Sequence, residues 1–155
     1  MTYDLEKTVA AGIEAVLTRA AGLPVFTRFS DDDDARDLPA ERIEATAYGF
    51  QQASEQMNFA PVTGTPYYCH FSGTVDVAVM TRRKGKTTET HDAAVSRVRH
   101  LFSREAQAFT ARTFPDFEVL SIRLNASTPS MKDEDEIDMT GLSFALELSI
   151  LPTAL

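Results

Sequence analysis

Between a long alternating stretch and a helical one stands Lys84-Gly85-Lys86-Thr87-Thr88, the best candidate in this sequence for a phosphate-binding loop. Such a loop wraps its backbone N–H groups round phosphate oxygens, which requires a glycine five positions before its Gly-Lys pair. Met80 occupies that position. The stretch before it reads as a strand of a meander rather than of a buried parallel sheet, so a basic turn is the better reading and nucleotide binding through Lys86 the lesser one. Three histidines, His70, His91 and His100, lack the helical or strand spacing that places two of them on one metal. Cys69 and His70 are adjacent, and adjacent strand residues point to opposite faces. Cys69 is therefore expected in the core as a small apolar group and His70 in solvent. No Gly-x-Ser-x-Gly elbow offers an acyl-transfer serine.

The acidic runs meet the same test. Asp31, Asp32, Asp33 and Asp34 form one run, and Asp133, Glu134, Asp135 and Glu136 another. A calcium loop of the EF-hand kind needs acids at alternating positions, a central glycine and a closing glutamate. Neither run has that spacing or the glycine. Both read first as solvated loops, and second as docking surfaces for a basic patch. Eight of the 15 basic residues lie between Arg82 and Arg112, and Arg82, Arg83, Lys84 and Lys86 supply such a patch. In copies assembled head to tail, acid and base would meet at every joint. Charge reversal at Arg82, Arg83 and Lys84 is then expected to weaken self-assembly. No cofactor, metal or catalytic set is expected from these residues.

A length of 155 residues suits one domain, and 43% hydrophobic with 25% charged residues is a globular balance. The net charge of −8 opposes phosphate backbones, so sequence-specific nucleic-acid binding is not expected. No apolar run approaches the roughly 18 residues of a membrane span. The first residues have neither a basic start nor an apolar stretch, and a lone cysteine fits a reducing compartment. A cytoplasmic location is expected.

Leu5, Val9, Ile13, Val16, Leu17 and Ala20 recur at steps of three and four, which predicts a helix capped near Thr2 and ended by Gly22 and Pro24. A short strand is expected over Pro24 to Phe29. A second is expected over Ile43 to Phe50, where Glu41 to Tyr48 also admits a helical reading. Residues Tyr67 to Met80 alternate apolar and polar, predicting a strand of roughly 40 Å or more at about 3.3 Å per residue. Thr90 is the expected cap of a second helix whose stripe is Val95, Val98, Leu101, Phe102, Ala106 and Phe109. Phe117 to Asn125 reads as a strand with Leu120, Ile122 and Leu124 on one face, and Asp138 to Ile150 as another with Leu142, Phe144, Leu146, Leu148 and Ile150 inward. The expected fold is α+β, with two helices on one face of an antiparallel, strongly curved sheet of about five strands, in the order α-β-β-β-α-β-β. Strands longer than their helical cover protrude, and small outward residues such as Ser72, Thr74, Ser143 and Ser149 suit contact with another sheet.

Four features together carry a resemblance: the helix Leu5 to Ala21 leading into Leu23-Pro24-Val25-Phe26; the approach Leu38-Pro39-Ala40-Glu41-Arg42-Ile43; the long strand Tyr67 to Arg83 feeding a helix with Arg97 and Arg99; and the close through Met139-Thr140-Gly141-Leu142-Ser143-Phe144. In element order and sizes the chain resembles the tail-terminator and head-tail completion proteins of long-tailed bacteriophages and prophages. The resemblance implies a structural, non-catalytic subunit that forms a ring, commonly a hexamer, against tail-tube or head-connector proteins. It further implies residence in the host cytoplasm during assembly and in the virion afterwards. A competing expectation is a small ligand-binding or enzymatic domain with a pocket between helices and sheet near Tyr67, Tyr68 and His70.

Overall fold

A computed structural model describes residues 5–20, 22–27, 39–52, 69–83, 89–102, 117–132 and 136–150. Its elements are α1 (Leu5–Ala20), β1 (Val25–Thr27), β2 (Arg42–Gln52), β3 (Cys69–Arg82), α2 (Glu89–Leu101), β4 (Phe117–Lys132) and β5 (Ile137–Ile150), the order that periodicity predicts. The β2 segment is strand, not helix. Thr90 is not the cap of α2 but lies in its first turn, because Glu89 already takes helical form where a carboxylate meets the positive helix end.

The five strands form one sheet in the order β1-β2-β3-β5-β4. It is mixed rather than wholly antiparallel: β1 runs parallel to β2, with Val25 beside Ile43 and Thr27 beside Ala45. A parallel neighbour needs a crossover of about a dozen residues, a length that residues 28–41 supply. The sheet is also not strongly curled. Its central pair, β3 and β5, stays in unbroken register from Cys69 opposite Ile150 to Arg82 opposite Ile137, so no bulge bends the middle.

Cross-strand partners share a face, and one face gathers the core. Ile43, Ala45 and Ala47 of β2, Val75, Val77 and Val79 of β3, and Leu142, Phe144, Leu146 and Leu148 of β5 are all buried there. Val9, Ile13 and Leu17 of α1, with Val95 and Val98 of α2, close over them. Each fully buried valine, leucine, isoleucine or phenylalanine among them contributes about 1.5–3 kcal/mol.

Two irregularities re-aim side chains. On β4, Val119 faces Leu148 and Ser121 faces Glu147, so Leu120 is an extra residue. That bulge turns Val119 inward and leaves Leu120 exposed, contrary to the expectation that Leu120 shares a face with Ile122 and Leu124. A second shift follows between Leu124 and Ala126. Beyond it β4 continues past the expected end at Asn125, held by pairing with β5 rather than by an apolar pattern of its own. Residues 125–129 are exposed whichever face they take, so this end of the strand extends past the helical cover. Pro129 lacks an N–H, which an edge strand tolerates.

Candidate functional site

Two polar clusters sit on opposite faces of the sheet. On the core face, where α2 begins, His91 is buried at 5% exposure. Its Nδ1 lies 2.8 Å from the Thr81 hydroxyl on β3 and its Nε2 lies 2.8 Å from the Thr140 hydroxyl on β5. A neutral ring donates through one nitrogen and accepts through the other, and hydroxyls serve either role. Both nitrogens are thus engaged in tying the helix to the two central strands.

Burial holds the His91 pKa below its ordinary 6.5, with Asp138 and Asp92 pulling it partly back. The unfolded chain therefore binds this proton more readily than the folded one. The stability this provides is complete above pH 6.5 and is lost as pH falls through 6.5 toward the lower folded value. A urea midpoint that declines between pH 7.5 and 5.5, with the decline flattened in His91→Gln, is the expected result.

Beside this cluster Arg83 grips Asp138, the guanidinium donating from Nε at 3.2 Å and from the terminal nitrogen at 2.7 Å. The Asp138 side chain is 6% exposed. Glu136 adopts φ 52° in the turn before β5, and its carbonyl accepts the Arg83 N–H at 2.8 Å. The bond from Arg83 is the main reason the Asp138 carboxyl titrates below its usual 3.8. Because that pKa is depressed, the pair's contribution is complete above pH 3.8 and disappears as pH falls through the folded value. Arg83→Ala is expected to lower stability by about 2 kcal/mol at neutral pH, the worth of a charged hydrogen bond. The loss, read from chemical denaturation, should shrink in acid.

On the opposite face no described helix packs. Instead a concavity of about 460 Å³ opens there, with Tyr48 and Glu44 on β2, Asp76 and Ala78 on β3, Gly141 and Ser143 on β5 and Thr128 on β4 among its lining residues. Small side chains at its centre make room: Ala78 pairs with Gly141 and Asp76 with Ser143. Glu44 is held by Arg42 at 3.0 Å. The Tyr48 phenol donates to the Asp76 carboxylate, and that bond, with burial, raises the Tyr48 pKa above 10.0. The other carboxylate oxygen, Oδ1, is buried with no donor among the described residues.

Of the residues singled out by sequence, Arg82 is exposed and Arg83 is paired within the chain. Asp31, Asp32, Asp33, Asp34, Lys84, Lys86, Asp133, Glu134 and Asp135 lie outside the described residues, as do Thr2, Tyr67, Tyr68, Ala106, Phe109 and the side chain of Cys69. His70 is exposed as expected. Ser72, Thr74 and Ser143 fall on the open face, whereas Ser149 is buried there, a short side chain seated between His70 and Glu118 on its two neighbours. Sequence reasoning missed His91 and Asp76. Among the described residues no three His, Cys, Asp or Glu side chains gather as a metal site, and no described helix is long and apolar enough to cross a membrane.

No family model matches the chain, and no curated protein matches it. Among solved structures it is similar to a chain of the virion of a native gene transfer agent (GTA) particle. The two share 13% identity over 93% of this chain and 95% of that one, with a TM-score of 0.49.

Proposed function

We propose that this chain is a structural, non-catalytic subunit of a phage or prophage particle, a tail terminator or head-tail joining protein that closes into a ring of its own copies and meets tail-tube or connector proteins. The observation that carries the reading is the sheet's second face. It is lined by small and polar groups, lacks a described helical cover and is hollowed at its middle. A face of this composition suits a protein partner, because it offers donors and acceptors without a large apolar patch. The long strand β4, at the sheet's edge among the described residues, adds a backbone row along 16 residues with no described partner strand, blunted by its bulges and by Pro129 against indiscriminate pairing. The sequence resemblance points the same way, and its element order is the order of the fold. His91, the buried histidine, has a structural role that accounts for both its nitrogens.

Light scattering coupled to size-exclusion chromatography tests this directly. A discrete oligomer is expected at high concentration and low salt, loosening as salt screens the joints. A protein that stays monomeric throughout would overturn the proposal.

A further inference from the structure

Between residues 118 and 129 the strand β4 carries two ionisable side chains, Glu118 and Arg123, and both are exposed. Neither makes an ion pair with a described residue. Residues five apart on a regular strand point to opposite faces. These two share the open face, Glu118 opposite Ser149 and Arg123 opposite Ala145, because the extra residue Leu120 lies between them. The same bulge sets Val119 and Ile122 together on the core face, opposite Leu148 and Leu146, each half-buried against the core. The segment is thereby matched to an inverted copy of itself. Laid antiparallel about a two-fold axis between Leu120 and Ser121, two such strands oppose Glu118 to Arg123 and Val119 to Ile122, twice over. A two-fold centred on Glu118 or on Arg123 would instead oppose like charges, which destabilises a sheet. Leu120, 46% exposed, comes beside its own copy at the axis.

From this self-complementarity we infer that the β4 edge is a second contact between copies, in which residues 118–123 of two chains pair antiparallel and carry the sheet from one copy into the other. Backbone hydrogen bonds give such an added strand its affinity and the side chains give it specificity. The occupant that fits is a second copy of this chain, since its own inverted segment returns a cation to Glu118, an anion to Arg123 and an apolar side chain to Val119 and Ile122. Pro129 and the register shift after Leu124 confine the ladder to this stretch. The contact is two-fold, whereas the joints of a ring run head to tail. It therefore goes beyond the function proposed above, and neither contact requires the other.

The test uses Glu118→Arg and Arg123→Glu, both at exposed positions, with melting curves confirming that each variant folds. Either substitution turns two attractive cross-strand pairs into two repulsive ones. It is expected to weaken the two-fold contact about tenfold at low salt, read by sedimentation equilibrium. Mixing the two variants then decides the register. In a mixed pair the introduced arginine faces the introduced glutamate, and the native arginine faces the native glutamate. Native mass spectrometry, which separates the variants by mass, is expected to find the one-to-one heterodimer in excess over either homodimer. Variants that associate as tightly as wild type would overturn the edge pairing and leave ring assembly standing. Weakened variants whose mixture shows no preference for the heterodimer would also overturn it, placing the two residues in separate contacts. A wild type that is monomeric at every concentration would overturn this contact together with the proposed ring.

Discussion

Phe144→Ala is expected to cost about 3–5 kcal/mol, the range for deleting a buried aromatic ring and leaving its cavity. Phe144 stands at the middle of β5, 2% exposed, between Val75 on β3 and Leu124 on β4. Its ring stacks on Phe102, just past the end of α2, with centroids 4.1 Å apart and planes 11° from parallel. One residue therefore links three strands to the helix that covers them. A loss of this size is a large part of the 5–15 kcal/mol a domain usually has. Phe144→Leu, which keeps most of the volume, should lose less than about 1.5 kcal/mol. Urea titration followed by circular dichroism separates the two. Equal midpoints for Ala and Leu would show that the ring is not packed as described.

Gly73→Ala is the second large effect, and its cause is a close approach rather than backbone conformation. A Cβ at Gly73 would lie 2.4 Å from Cγ of Phe50 and within 2.6 Å of both Cδ atoms. Phe50 belongs to the β2 bulge between Tyr48 and Gln51, and its ring packs against the core over the bare glycine. These are ring atoms near the root of the side chain, so the ring as a whole must move, at about 1–3 kcal/mol. A double-mutant cycle with Phe50→Ala should show coupling of about 1–2 kcal/mol, because removing the ring also removes the clash. Additive losses would contradict the contact. Gly49 in the same bulge differs: a Cβ there meets nothing within 4 Å, but φ of +69° makes any L side chain strained. Gly49→Ala should therefore cost about 1 kcal/mol with no coupling to Phe50.

These sites show how much of the fold was legible. The alternation over β3 and β5 was readable because both strands carry one apolar face without interruption, and α1 because its stripe holds a 3.6-residue period. The Leu120 bulge was not, since it exists only relative to the residues of β5 that oppose it. Likewise, nothing within Val25–Thr27 reveals that its neighbour runs parallel. His91 left a usable signal: it stands three, four and seven positions before Ala94, Val95 and Val98, on the buried stripe of α2. A polar residue at such a position is expected to need partners, and Thr81 and Thr140 meet that need from distant strands. Asp76 left none. An acid on the polar side of an alternating strand looks solvated until the cross-strand neighbours Thr46 and Ser143 are known. Charge segregation was visible in sequence, but the internal pairing of Arg83 depends on the turn that brings Asp138 beside it.

Oxidative footprinting of Tyr48, dilute against concentrated, bears most directly on the idea that the sheet face without a described helical cover is where copies meet. Tyr48 is 44% exposed in the isolated chain and sits on the rim of the concavity. Its oxidation rate is predicted to fall several-fold as the oligomer forms, while His100 on the outward side of α2 keeps its rate. An assembled particle in which Tyr48 reacts as fast as in the monomer would place the contact elsewhere and contradict the account.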